Sequence, residues 1–223
     1  MDVVNIFLTS DLGDTLDTFE HGTKRFEFAR LRAAGPDRLV EGPVWAFIDW
    51  VMDDLAGLEM CRRLRADPRT RDAHITMVLE PGDAGDRRRA LKAGADDYVV
   101  GPLDRTTILD RVLALQSHNS AYSAQQMRLG ALMIDMGALR ATWDDTPIAL
   151  RPNEFRLLRF FAENPNQVLS RAALITGLAK QDPPLDERTV DVWIGRLRSA
   201  LKNAGAGNPL RTVRSLGYVF DAV

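Results

Sequence analysis

The sequence has a single cysteine, Cys61, among its 223 residues. No disulfide can form within the chain, and nothing in it points to an oxidising compartment. The opening stretch MDVVNIFLTSD lacks the basic n-region of a secretory leader. Long apolar runs are missing too. The most apolar segment, Val44–Met52, is cut by Asp49 and falls well short of the ~18 residues of a membrane span. Internal repeats and low-complexity tracts are also absent. These absences predict a soluble, cytoplasmic protein with no membrane partner.

A hydrophobic share of 45% is enough for a packed core and excludes wholesale disorder. At ~150 residues per domain the length allows one large domain or two small ones. The net charge of −2 is unevenly spread. Residues 1–120 hold 16 Lys+Arg against 21 Asp+Glu, whereas residues 121–223 hold 13 against 10. An acidic half joined to a basic half fits a regulatory unit attached to a nucleic-acid binder.

The first half alternates short apolar runs with amphipathic stretches. Val3–Thr9, Phe26–Leu31, Val44–Ile48, Ile75–Leu79 and Tyr98–Val100 read as strands. Leu58–Arg65, Asp83–Ala93 and Thr106–Leu115 read as helices between them. Strands alternating with helices imply a parallel sheet covered on both faces. Ser117–Gln126 is polar and without rhythm, so the expected division is residues 1–118, a linker at 119–126, and a second domain at 127–223. In that domain RLGALMID, ALRATWD and IAL read as short strands, with a turn at Asp-Asp-Thr-Pro. Pro152 opens a helix, Ser170 caps a second, and a third runs from about Asp186 to Lys202. Leu210–Arg214 and Tyr218–Asp221 close the chain as a hairpin.

In a parallel sheet, ligand chemistry gathers beyond the carboxyl ends of the strands. Asp11 follows the first strand, Asp49 the third, and Asp53 and Asp54 lie just beyond. Carboxylates converging there can hold Mg²⁺, and one of them can accept a phosphoryl group. In the second domain Arg188, Arg196 and Arg198 project from the third helix, flanking the stripe Val190, Ile194, Leu197 and Leu201. Such a helix fits a DNA major groove, where arginine forks onto guanine.

The strand-end acids, the block ALKAGADDYVVGPL and the run ERTVDVWIGRLRSAL…LRTVRSLGYVF resemble a response regulator of the OmpR/PhoB family over Val3–Asp221. The resemblance implies an α/β flavodoxin-like receiver with a five-stranded parallel sheet, followed by an α+β winged helix–turn–helix. By position it makes Asp49 the phosphoacceptor, Asp11 a Mg²⁺ ligand with Asp49, and Tyr98 the switch aromatic. It assigns double-stranded DNA contacts to Arg188, Trp193, Arg196 and Arg198 on the helix, and to Arg211, Thr212 and Arg214 on the wing; Trp193 could instead turn inward as core. Arg87, Asp96, Asp97 and Arg111 match the face through which two receivers pair, with Leu91, Leu103 and Ile108 as apolar support.

The receiver departs from the family pattern at its site. Ser10 stands where a second acid is usual, Leu79 where a hydroxyl is usual, Gly101 where a lysine is usual, and Asp53 where a proline is usual. Each lost charge-assisted bond removes on the order of 1.5–3 kcal/mol from the phosphorylated arrangement. A sharp switch needs ~5 kcal/mol. The expectation is a DNA-binding transcription regulator that acts as a homodimer without depending on phosphorylation, requires no cofactor and treats Mg²⁺ as dispensable. The alternative is a conventional phosphorelay output phosphorylated on Asp49 by a histidine kinase. A phosphohydrolase using Asp49 is disfavoured by the same two losses, so no enzyme activity is expected. The resemblance also makes RNA polymerase a partner, through the loop Gly177–Leu185.

Overall fold

Strand β1 (Asp2–Leu8) is buried on both sides from Val4 onward and becomes an interior strand of a six-stranded sheet. The computed structural model describes residues 2–10, 18–35, 42–82, 84–117, 126–178 and 187–222. The chain divides into two compact units, Met1–Val112 and Leu113–Val223.

In the first unit the sheet also holds β2 (Phe19–His21), β3 (Lys24–Arg30), β4 (Val44–Asp49), β5 (His74–Leu79) and β6 (Asp97–Val100), in the order β2-β3-β1-β4-β5-β6. The strands from β3 to β6 are parallel, as the sequence predicts, and give the flavodoxin-like order. The sheet is one strand larger than expected. The extra strand, β2, is antiparallel to β3 and extends the edge. It turns at Gly22 and sets the Phe19 ring 5.9 Å from Phe26.

The two faces of strand β3 differ in polarity. Phe26 and Phe28 are buried on one side, while Arg25 pairs with Glu27 on the other. Helices α1 (Gly57–Ala66) and α2 (Ala84–Ala93) lie on one side of the sheet, where Arg87 covers the Tyr98 ring. Helix α3 (Arg105–Ser117) begins on the opposite side, with Arg105 over Phe28.

The second unit opens with a four-stranded antiparallel sheet: β7 (Gln126–Leu129), β8 (Leu132–Asp135), β9 (Arg140–Trp143) and β10 (Thr146–Pro147). The stretch RLGALMID is two strands rather than one, because Gly130 at φ +56 reverses the chain between them. Helix α4 (Pro152–Glu163) has Pro152 at its first position, and the Glu154 side chain accepts from the Arg151 N–H at 2.9 Å. Ser170 caps α5 (Arg171–Gly177), its Oγ accepting from the Ala173 N–H at 3.1 Å. Helix α6 (Glu187–Asn203) and the hairpin β11 (Leu210–Val213) and β12 (Gly217–Phe220) complete the unit.

The hairpin is pinned to the strand-like residue before α5. Leu169 and Tyr218 exchange backbone hydrogen bonds of 2.8 and 3.0 Å. Gly217, at φ +146, lies so close that a Cβ would fall 2.0 Å from the Leu169 carbonyl oxygen. No helix of the described residues is long and apolar enough to cross a membrane.

Candidate functional site

The carboxyl ends of β1, β3 and β4 open into a cleft of about 500 Å³. Thr9 and Ser10 form its floor, Arg30–Ala33 one wall, and Asp49 with Val51–Asp54 the other. This is the switch point of a doubly wound sheet, where the chain passes from one side of β1 to the other. Asp49 Oδ2 accepts from Thr9 Oγ1 at 2.7 Å and from Ser10 Oγ at 2.6 Å. The Asp49 N–H in turn donates to Thr9 Oγ1 at 2.7 Å. An acid at position 10 would face this carboxylate with a second negative charge, whereas serine supplies a donor. Both lone-pair directions of Oδ2 are thereby occupied. Asp11, the other expected Mg²⁺ ligand, lies outside the described residues.

The two substituted positions across the sheet end are joined through the backbone. Leu79 is buried, and its carbonyl accepts from the Gly101 N–H at 2.9 Å. Gly101 sits at φ +92, a conformation that a lysine would hold only under strain. Tyr98 is buried beneath Arg87, whose guanidinium carbon is 5.6 Å from the ring centre.

On the α2–β6–α3 face the structure separates the expected pairing residues. Arg87, Asp97 and Arg111 share this face, and Arg111 Nη1 lies 3.9 Å from Asp97 Oδ2 in the same chain. Asp96 does not belong to an interface. It is 1% exposed, binds Arg65 Nη2 at 2.5 Å and accepts from the Ile75 N–H at 2.8 Å. Asp97 is buried too, 5% exposed, and its Oδ1 accepts from the Tyr98 N–H at 2.8 Å. Leu91, Leu103 and Ile108 are likewise buried within the unit and are not free to support a partner.

In the second unit α6 carries the surface that could meet DNA. Glu187, Arg188, Asp191, Gly195 and Ser199 are exposed along it, with Arg196 at the flank. Gly195 has nothing within 4 Å of the place a Cβ would take, which leaves the middle of this face flat and open. Trp193 is not on it. Trp193 is 0% exposed and packs in the core with Val190, Ile194 and Leu197. It lies three residues after Val190 and four before Leu197, and the helical period puts it on the buried stripe.

Arg198 also differs from expectation. Its Nε donates to the Leu210 carbonyl at 2.9 Å and its Nη2 to Thr212 Oγ1 at 2.7 Å. Arg198 and Thr212 therefore fasten α6 to the hairpin instead of both standing free for DNA. Arg211 is exposed but held by Asp221, through Nη2 at 2.8 Å and a second, shorter contact. That pairing holds the Asp221 carboxyl below its ordinary range. Arg214 stands exposed at the hairpin turn beside Leu216. Of the loop Gly177–Leu185, expected to meet RNA polymerase, Gly177 ends α5 and Leu178 caps it, while 179–185 lie outside the described residues.

A cluster that the sequence did not suggest joins these parts. Tyr218 OH donates to Asp191 Oδ1 at 2.6 Å, and Arg171 Nε donates to the same oxygen at 2.7 Å. Arg171 and Arg198 both lie over the Tyr218 ring, at 5.1 and 5.5 Å. Burial first, and then the bond to Asp191, pushes the Tyr218 phenol above its ordinary value.

Residues 145–220 match the family described as "Transcriptional regulatory protein, C terminal", and residues 38–113 match "Response regulator receiver domain". The chain is 37% identical over 194 residues to the phosphate regulon transcriptional regulatory protein PhoB of Rhizobium meliloti (strain 1021), covering 86% of this chain and 82% of that protein. It is 32% identical over 180 residues to the PhoB of Escherichia coli (strain K12), covering 80% and 79%. Among solved structures, a cysteine-to-serine mutant of RitR is similar in fold alone, with 17% identity, a TM-score of 0.58 and 99% of each chain covered.

Proposed function

The chain belongs to the OmpR/PhoB family of response regulators, with a receiver and a winged-helix DNA-binding domain, and from that premise we propose that it regulates transcription without depending on phosphorylation. One observation carries this reading: Asp49 Oδ2 is held by the Thr9 and Ser10 hydroxyls. Two donors on Oδ2 draw negative charge from the carboxylate as a whole and so weaken Asp49 as a nucleophile, Oδ1 included. A phosphoryl group on Asp49 would find neither a lysine at Gly101 nor a hydroxyl at Leu79. Ser10 also offers Mg²⁺ a neutral hydroxyl where the family has a carboxylate, which weakens the attraction for the ion. We therefore take Mg²⁺ as dispensable, and the protein as no enzyme.

In this reading Arg188 and Arg196 read base edges from α6, and Arg214 meets the backbone or minor groove. Arg198, Thr212 and Arg211 act by holding the wing in place. Two copies pair on adjacent half-sites through the α2–β6–α3 face, with Arg87 and Arg111 at its rim. The protein works in the cytoplasm and recruits RNA polymerase.

A second reading, phosphorylation of Asp49 by a histidine kinase, is favoured by the open cleft beside the carboxylate. Incubation with a small phosphodonor and Mg²⁺, followed by intact-mass measurement and a DNA titration, separates the two. The proposed reading expects no added phosphoryl mass and unchanged DNA affinity. A stoichiometric mass gain with tighter DNA binding would establish the second reading.

A further inference from the structure

Gly195 lies midway along the 17 residues of α6, on the side of the helix that faces solvent. A glycine there weakens the helix relative to alanine, because it loses more backbone freedom on folding. The usual reasons for tolerating one are absent. Its φ is not positive and α6 runs on unbroken, so neither a turn nor a kink asks for glycine. Nothing lies within 4 Å of the place its Cβ would take. Two other helical glycines differ in this respect. A Cβ would fall 2.0 Å from the Asp49 carbonyl oxygen at Gly57, and 2.6 Å from the Phe160 ring at Gly177. One turn beyond Gly195, the Ser199 side chain folds back along the helix, its Oγ donating to the Gly195 carbonyl at 3.1 Å. The outward line of α6 is therefore bare at its centre.

We infer that α6 packs its backbone at Gly195 directly against base-pair edges in the DNA major groove, which makes Gly195 a specificity-determining position by virtue of having no side chain. The inference deepens the reading that α6 faces DNA, and rests on it. The surroundings favour DNA as the occupant. Arg188 stands seven residues before Gly195 and Lys202 seven after, on the same side of the helix at about two turns each way, and Arg196 adjoins it. Acids are present as well. Glu187 lies at the start of the helix, and Asp191, one turn before Gly195, has its carboxylate engaged by Tyr218 and Arg171. Where no side chain intervenes, the helix can settle deeper into the groove, and the arginines beside the gap have a shorter reach to the bases. Even a methyl group at this point would hold the backbone away from the base edges.

The test uses the full chain, a duplex selected by the wild type, and an unrelated duplex of the same length. Gly195→Ala should melt a few degrees above wild type, since alanine favours the helix and has room there. It should nevertheless bind the selected duplex about fivefold more weakly, and Gly195→Gln about twentyfold more weakly. Both variants should bind the unrelated duplex within about twofold of wild type, because that binding rests on phosphates. A glycine of merely structural importance would not give a gain in stability together with a loss of specific binding. A lower melting midpoint for Gly195→Ala, equal binding of the selected duplex by all three proteins, or the same loss on both duplexes would each overturn the inference. A wild type that showed no preference for the selected duplex would sink the DNA-facing reading of α6 itself, and the inference with it.

Discussion

Tyr218 of the hairpin and Asp191 of α6 are joined by a 2.6 Å hydrogen bond, which adds to the Arg198 bonds between the same two elements. Arg171, at the start of α5, completes the cluster from the third side. The position of the hairpin relative to α6 is thus decided by residues far apart in the chain, and the proposed DNA contacts of Arg196 and Arg214 depend on it.

Tyr218→Phe is expected to cost about 1.5–3 kcal/mol of domain stability, the usual worth of a hydrogen bond to a charged group. The pH dependence has a definite sign. The folded phenol is raised above 10.0 by burial and by Asp191. Its stabilisation is therefore full below the unfolded value and is lost as pH rises through the folded one. Thermal melts between about pH 8 and pH 11 should show wild type losing stability at the alkaline end more steeply than Tyr218→Phe. Parallel curves would contradict this.

Asp96→Ala should destabilise the receiver by about 3–5 kcal/mol, because it strands Arg65 in a largely buried place. Arg65 also donates to the carbonyls of Gly94 at 2.8 Å and Ala73 at 2.6 Å, so α1 loses its tie to the chain around β5 and β6. Urea denaturation checks it. A loss under ~1 kcal/mol would return Asp96 to the surface role that its sequence position suggested.

Arg196→Ala and Arg214→Ala should fail differently. Loss of a base contact at Arg196 should cost ~1–3 kcal/mol and relax preference at one position of the site. Loss of Arg214 should weaken all sequences alike and reduce the salt slope by about one. Competition titrations at several salt concentrations tell them apart, and equal binding by all three proteins would refute the assignment of this face.

Pairing in solution should be weak. The apolar residues near the α2–β6–α3 face are buried inside the unit, which leaves rim ion pairs worth ~0.2–1 kcal/mol each. The full chain should sediment mainly as a monomer at about 10 µM and bind two half-sites cooperatively. A stable dimer at that concentration would mean that another face carries the contact.

Much of this architecture was legible in the sequence where periodicity was strong. The five parallel strands, the three receiver helices and the Ser170 cap follow from alternation, helical spacing and capping chemistry. Strand β2 was not legible, because Phe19–His21 is three residues long and shows no repeat. Position matching put Trp193 among the DNA contacts with a core place as the alternative, and its spacing from Val190 and Leu197 decides for the core. Family position transfers an address along a helix, and the local period decides which way the side chain points. The Arg65–Asp96 pair and the bonds from Arg198 to the hairpin were hidden for a different reason. They join residues 31 and 12 to 14 positions apart, where no local pattern reaches.

The central claim is that DNA binding does not pass through Asp49. A fluorescence-anisotropy titration of full-length wild type and Asp49→Ala on one selected operator, without phosphodonor, tests it most directly. The two affinities should lie within about threefold of each other, a difference below ~0.7 kcal/mol. A loss of more than tenfold in Asp49→Ala would contradict the claim and put Asp49 back at the centre of the switch.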